Sequence, residues 1–189
     1  MESAENNAPV AAVAVEDPYL WLESVEGARS LAWAAEQNAK SLLRLQGDPR
    51  FEEIRNQVGE ILTSDDRIPF ANLVNGMVYN FWQDDEHVRG ILRRTTLENY
   101  TLEEIQWETV LDVDALANLE NANWVYKGRR CLSSDPGRCL LSLSDGGKDA
   151  VVIREYDLDN QVFVDGGFEL DEAKTRLAWV DANTLLVGT

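Results

Sequence analysis

From Arg67 onward the sequence is a succession of short β-branched and aromatic runs punctuated by Gly, Asn and Asp, and that rhythm limits the available folds. Ile68–Val74 breaks at Asn75-Gly76, the strongest short hairpin signal, because a tight hairpin turn needs positive φ at its central positions. Met77–Gln83, Arg89–Thr95 and Trp107–Leu111 complete a first set of four runs. A second set comprises Trp124–Cys131, Arg138–Ser144, Ala150–Tyr156 and Val162–Val164, and a third opens with Arg176–Val180 and Thr184–Gly188. Repeats of roughly 40–50 residues, each a four-stranded meander, are the pattern of propeller blades. The blades are expected at about 68–112, 123–165 and 175–189. The link Asp112–Asn123 is longer than a turn and makes the repeat irregular. A β-sandwich would also explain the strands, but not a chain that stops two strands into a unit.

The region before Arg67 follows a different grammar. From about Gly27 to Gln46 the chain is rich in Ala, Leu, Glu, Gln, Lys and Arg, all good helix formers. Leu31, Ala35, Leu42 and Leu45 share one face, and Gly47 ends the helix. Asp48-Pro49 restarts it, with Asp suited to the cap and Pro to the first turn. Phe51, Ile54, Val58, Ile61 and Leu62 then recur at helical spacing. Residues 17–66 are thus expected as a helical segment, an α-hairpin, and residues 1–16 as a disordered leader without the basic start of a secretory signal.

The chain carries 17 Lys and Arg against 34 Asp and Glu, a formal net charge of −17. Such a balance disfavours a phosphate-tracking groove, so neither nucleic acid nor an anionic membrane surface is expected as a partner. No apolar run is long enough for a membrane-spanning helix, and the default compartment is the cytoplasm. In that compartment Cys131 and Cys139 are expected as reduced thiols. They flank the turn-like run Ser133–Arg138, however, so a bridge across a hairpin is sterically conceivable.

No complete catalytic constellation is found: the sequence supplies no catalytic, cofactor-binding or metal-ligating residue, and no cofactor is expected. No Ser has the Gly-x-Ser-x-Gly context of a nucleophile elbow; Ser144 comes nearest, with Gly146 behind it but Ser142 ahead. The single histidine, His87, lies in the polar run Asp84–His87 and reads as a solvated loop residue. Asp145-Gly146-Gly147-Lys148 lacks the spacing of a phosphate loop and reads as a hairpin turn. Asp112-Val113-Asp114 and Asp157-Leu158-Asp159 begin like calcium loops but lack the sixth-position Gly and the closing Glu, so both read as turns. The six Trp are scattered through different elements and read as core packing.

The run Asp17-Pro18-Tyr19-Leu20-Trp21-Leu22-Glu23, followed by Trp33 and Gln37-Asn38, resembles the opening of the prolyl oligopeptidase family of serine peptidases. Asp48-Pro49-Arg50-Phe51, Tyr79–Asp84 and Arg93–Leu97 are similar to the same family. The resemblance implies a mostly β fold with an N-terminal helical segment. It would be a partial β-propeller, about two and a half four-stranded blades of seven. The helical segment would pack on a C-terminal α/β-hydrolase domain, with the propeller covering the active site and admitting only short peptides. The Ser, Asp and His of the triad would lie beyond Thr189, so this chain alone would be inactive. The partners implied are that hydrolase domain in cis and, through the full-length protein, short peptides cleaved after proline. The alternatives are a non-enzymatic β-domain binding module and a decayed family member.

Overall fold

The computed structural model describes residues 17–64, 66, 68 and 70–189. The expected leader lies outside the described residues. The chain divides into two compact units, Met1–Gln57 and Val58–Thr189.

A 3-10 turn, Leu20–Glu23, leads into α1 (Ala28–Gln46); after four intervening residues α2 (Phe51–Thr63) begins in the first unit and ends in the second. The Trp21 and Trp33 rings meet edge to face at 6.4 Å, and Ser30 Oγ donates to the Trp21 carbonyl at 2.9 Å. These contacts fix the Asp17–Glu23 segment against the start of α1. Gly47 caps α1 as expected, its N–H reaching the Leu43 carbonyl at 3.2 Å. Asp48 Oδ1 then accepts the Arg50 N–H at 3.0 Å and starts the next helix. The expected apolar positions Leu31, Leu42 and Leu45 of α1, and Ile54 of α2, are exposed.

The second unit is a series of antiparallel sheets. β1 (Asn72–Val74), β2 (Met77–Trp82), β3 (Ile91–Thr96) and β4 (Glu108–Asp112) form the first, in sequence order. Asn75 (φ 49°) and Gly76 (φ 77°) both adopt the positive φ that the β1–β2 turn requires. The first strand is shorter than expected: Ile68 and Phe70 lie outside it and are exposed. A proline at position 69 offers no ladder N–H there. Between β3 and β4 lies one helical turn, α3 (Leu97–Tyr100), capped by Thr96.

The irregular link after β4 is a helix, α4 (Val113–Glu120). Asp112 caps it by accepting the Ala115 N–H at 2.8 Å, and Asn121 closes it in the left-handed conformation. Val113, Leu116 and Ala117 bury its inner face.

β5 (Trp124–Leu132), β6 (Asp135–Asp145), β7 (Val151–Asp157), β8 (Val162–Phe163) and β9 (Glu169–Ala173) form the second sheet. β8 pairs with the end of β7 and β9 with its beginning, so together they make one outer strand interrupted at 164–168. β9 has no counterpart among the strands expected from the sequence. β10 (Arg176–Asp181) and β11 (Thr184–Gly188) form the expected third hairpin.

Two cores run through this unit. Tyr79, Leu92 and Leu111 of the first sheet share a core with Leu141 and Leu143 of the second and with Leu158 in the turn after β7. Leu140, Val151 and Ile153 pack on Leu170, Leu177 and Trp179 on the other side. β6 is therefore buried on both faces, which is why Cys139–Leu141 reads as a continuous apolar run. A sandwich would place two sheets around one core. Here three sheets stack serially, in chain order. The described chain is a mostly β domain with an N-terminal helical pair and an incomplete multi-blade arrangement: eleven strands in three sheets, none closed.

Cys131 and Cys139 are directly opposed across β5 and β6 and are joined as a disulfide. This corrects the expectation of reduced thiols. The turn is tighter than the sequence suggested, because Leu132 already pairs with Asp135 and the extra residues bulge from β6.

Candidate functional site

The residues singled out in the sequence are occupied in building the sheets. Ser144 is fully buried, and its Oγ donates to the Lys148 carbonyl at 2.7 Å, closing the β6–β7 turn. That turn is Asp145–Lys148, with Gly146 and Gly147 at positive φ; Asp145 Oδ1 accepts the Asn123 N–H at 3.0 Å. Asp112 and Asp114 diverge rather than converge on an ion. Asp112 caps α4, while Asp114 Oδ2 accepts the Arg89 and Gly90 N–H groups at 2.9 and 3.3 Å. Asp157 accepts the N–H groups of Asp159 and Asn160, each at 2.9 Å, and forms the turn expected there.

His87 is held locally. Its N–H donates to Asp84 Oδ1 at 2.7 Å, its Nδ1 lies 2.9 Å from the same oxygen, and the Trp82 indole donates to Asp84 Oδ2 at 2.9 Å. Burial pushes the Asp84 carboxyl upward in pKa, but the hydrogen bonds from His87 and Trp82 outweigh it and hold the group below its ordinary value. The Asp84–His87 run is a turn closed by these bonds.

Two polar centres were not visible in the sequence. Arg93 lies between two indoles, 4.2 Å from the Trp82 ring and 4.4 Å from Trp107, with its Nε donating to Asn80 Oδ1 at 2.8 Å. Burial lowers its pKa and the Asp84 charge opposes that shift. The second centre is Glu155, whose side chain is 1% exposed. Its Oε1 accepts from the Arg138 guanidinium through both Nε and Nη2, and its Oε2 accepts the Phe168 N–H at 2.9 Å. Gly166 (φ 67°) and Gly167 let the chain pass directly over this pair; a Cβ on Gly167 would meet Glu155 Oε2 at 3.0 Å. Such partners are set by strand register across 17 residues, so no local spacing signals them.

Between the first two sheets lies a third network. Arg94 Nη1 donates to the Leu158 carbonyl at 2.8 Å and its Nε to Glu108 Oε2 at 2.7 Å, while Gln161 Nε2 donates to Glu108 Oε1. Arg89 Nη1 donates to the Trp124 carbonyl at 3.0 Å, and Phe81 stacks on Tyr126 at 4.7 Å. These contacts lock consecutive sheets in a fixed stagger. Among the described residues these networks join strands and sheets. No described helix is long and apolar enough to cross a membrane.

Serially stacked, chain-ordered antiparallel sheets define the class: an unclosed run of propeller-type blades behind a helical pair. The family described as "Prolyl oligopeptidase, N-terminal beta-propeller domain" matches residues 2–189, and the chain belongs to that family. An uncharacterized peptidase of Sinorhizobium fredii is 41% identical over 184 residues, covering 97% of this chain and 25% of its own length. An uncharacterized peptidase of Rickettsia prowazekii is 33% identical over 174 residues, covering 88% and 24%. The chain thus spans about a quarter of the length of these curated relatives. Among solved structures, a post-proline cleaving enzyme from Rickettsia typhi superposes with a TM-score of 0.76 at 34% identity, covering 87% of this chain and 25% of that one. A chain from a study of two prolyl endopeptidases, at 20% identity and a TM-score of 0.65, shares the fold.

Proposed function

We propose that this chain is the N-terminal region of a prolyl-oligopeptidase-like serine peptidase, contributing the first blades of the gate over an active site supplied from outside these residues. The full-length protein cleaves short peptides on the carboxyl side of proline by Ser-His-Asp acyl transfer. The observation that carries this reading is the match in both sequence and blade stacking to the post-proline cleaving enzyme of Rickettsia typhi. Residues 17–66 act as a helical brace that packs on an α/β-hydrolase domain. The exposed apolar positions Leu42, Leu45, Ile54 and Ile61 support that role. Residues 67–189 form the incomplete propeller. The outward side chains Val180 and Leu186 of the third hairpin offer the apolar face on which the next strands are laid.

A chromogenic prolyl-peptide reporter tests the proposal. Full-length protein releases the chromophore and this chain alone does not. A full-length protein that leaves the reporter intact, whether a binding module or a decayed peptidase, refutes it.

A further inference from the structure

One cavity runs against the composition of the chain. It measures about 450 Å³ and lies where β5 approaches β10. Lys127, Arg129, Arg130 and Arg176 all line it, in a protein with twice as many acidic as basic side chains. Among the described residues, none of these four cations has a carboxylate within 4.0 Å, although elsewhere Arg94, Arg138 and Arg154 are each paired with one. Lys127 Nζ donates only to the Gly147 carbonyl, at 3.0 Å, and the Arg129 guanidinium lies 4.7 Å from the Tyr79 ring.

The local backbone builds this arrangement. The β5–β6 register shifts between Tyr126 and Gly128, so Lys127 is an extra residue in a bulge. Gly128 sits at φ +117°, a conformation that side-chain-bearing residues rarely adopt, and a Cβ there would meet nothing within 4 Å. The bulge interrupts the alternation of β5, and Lys127 and Arg130 reach the cleft from either side of Gly128, while the Arg129 guanidinium turns to the Tyr79 ring on the other face. The opposite wall is tied in place by the Trp179 indole, which donates to the Arg130 carbonyl at 2.8 Å. Ser142 supplies a hydroxyl at the same cleft.

We infer that this cleft is a carboxylate-binding subsite that recognises acidic residues of a short peptide. Forked guanidinium donors suit carboxylates, and the volume is that of a small-ligand site rather than of a tracking groove. The overall negative charge repels a long polyanion, whereas the local cations act on a peptide within the roughly 8 Å screening length of physiological salt. That the bound peptide is also a substrate rests on the peptidase reading; the binding itself does not.

The test uses full-length protein and fluorescent alanine-rich hexapeptides without proline, so that no turnover is needed. One ends in two glutamates and is amidated, one carries glutamines and is amidated, and one carries glutamines with a free terminal carboxylate. The amidated glutamate peptide is expected to bind about tenfold tighter than its glutamine counterpart, an advantage that shrinks as salt is raised. The Arg130→Gln/Arg176→Gln variant loses the advantage and Arg130→Lys/Arg176→Lys retains much of it, which a purely structural role of these exposed side chains would not produce. Tighter binding of the free-carboxylate glutamine peptide than of the amidated glutamate peptide overturns the inference in favour of the chain terminus. Equal binding of the two amidated peptides, retention of the preference in the glutamine variant, or tighter binding of a single-stranded oligonucleotide overturns the inference. Because the probes are not cleaved, a failed peptidase assay leaves this result readable.

Discussion

The Tyr156 hydroxyl donates to the Val110 carbonyl at 2.6 Å, a buried hydrogen bond that joins the second sheet directly to the outer strand of the first. Removing the hydroxyl leaves a buried carbonyl without that donor, so Tyr156→Phe is expected to cost about 1–3 kcal/mol in urea unfolding of this chain. Burial also pushes the Tyr156 pKa up to about 12 from an ordinary 10.0. The folded state therefore retains the phenolic proton that the unfolded state has released. This contribution is complete below the unfolded pKa and is lost as pH rises from about 10 through about 12. In unfolding measured across that window, wild type should lose stability more steeply than Tyr156→Phe.

Arg138→Ala strands the Glu155 carboxylate beneath the 164–168 segment. Breaking a buried pair from one side typically costs about 3–5 kcal/mol, whereas removing charge from both partners costs far less. The double variant Arg138→Met/Glu155→Leu is accordingly expected to be more stable than Arg138→Ala, by thermal melting followed through Trp fluorescence. A single variant as stable as wild type would show that the pair is dispensable.

Gly90 adopts φ +97°, and a Cβ there would approach Phe81 Cζ to 2.5 Å. Both the backbone and the packing oppose any larger residue. Gly90→Ala should therefore destabilise the chain by about 1–3 kcal/mol, and it should loosen the Phe81–Tyr126 stack, seen as faster amide exchange in β2 and β5.

The Cys131–Cys139 bridge closes a loop of sequence separation 8 across one hairpin. Alkylation of denatured protein without reductant should add nothing to its mass, and alkylation after reduction should add two groups. Modification of both thiols in the unreduced sample would contradict the bridge.

Much of the fold was legible where the signal is local. Asn75-Gly76, Gly47 and Asp48 all act where they were read, because turns and caps depend on a few adjacent residues. α4 carried a readable signal too: the Asp112 cap, then Val113, Leu116 and Ala117 at helical spacing. At eight residues it is too short to stand out from a long link between strands. β9 gave no such warning. Its sequence, Glu-Leu-Asp-Glu-Ala, turns only Leu170 toward a core, and it pairs with β7 alone. Arg93 between its two indoles and Glu155 beneath Phe168 come from register and stacking, which a one-dimensional pattern does not carry. The same holds for the cations gathered by the Lys127-Gly128 bulge.

The proposed role of these sheets is to open a propeller gate over a proline-directed peptidase site. The most direct measurement is product analysis by mass spectrometry. Full-length protein is incubated with an octapeptide containing one internal proline, and separately with a folded protein bearing the same octapeptide in an exposed loop. A single cut after proline is expected in the free peptide and none in the protein. Equal cleavage of both substrates, or cutting of the free peptide elsewhere than after proline, would contradict it.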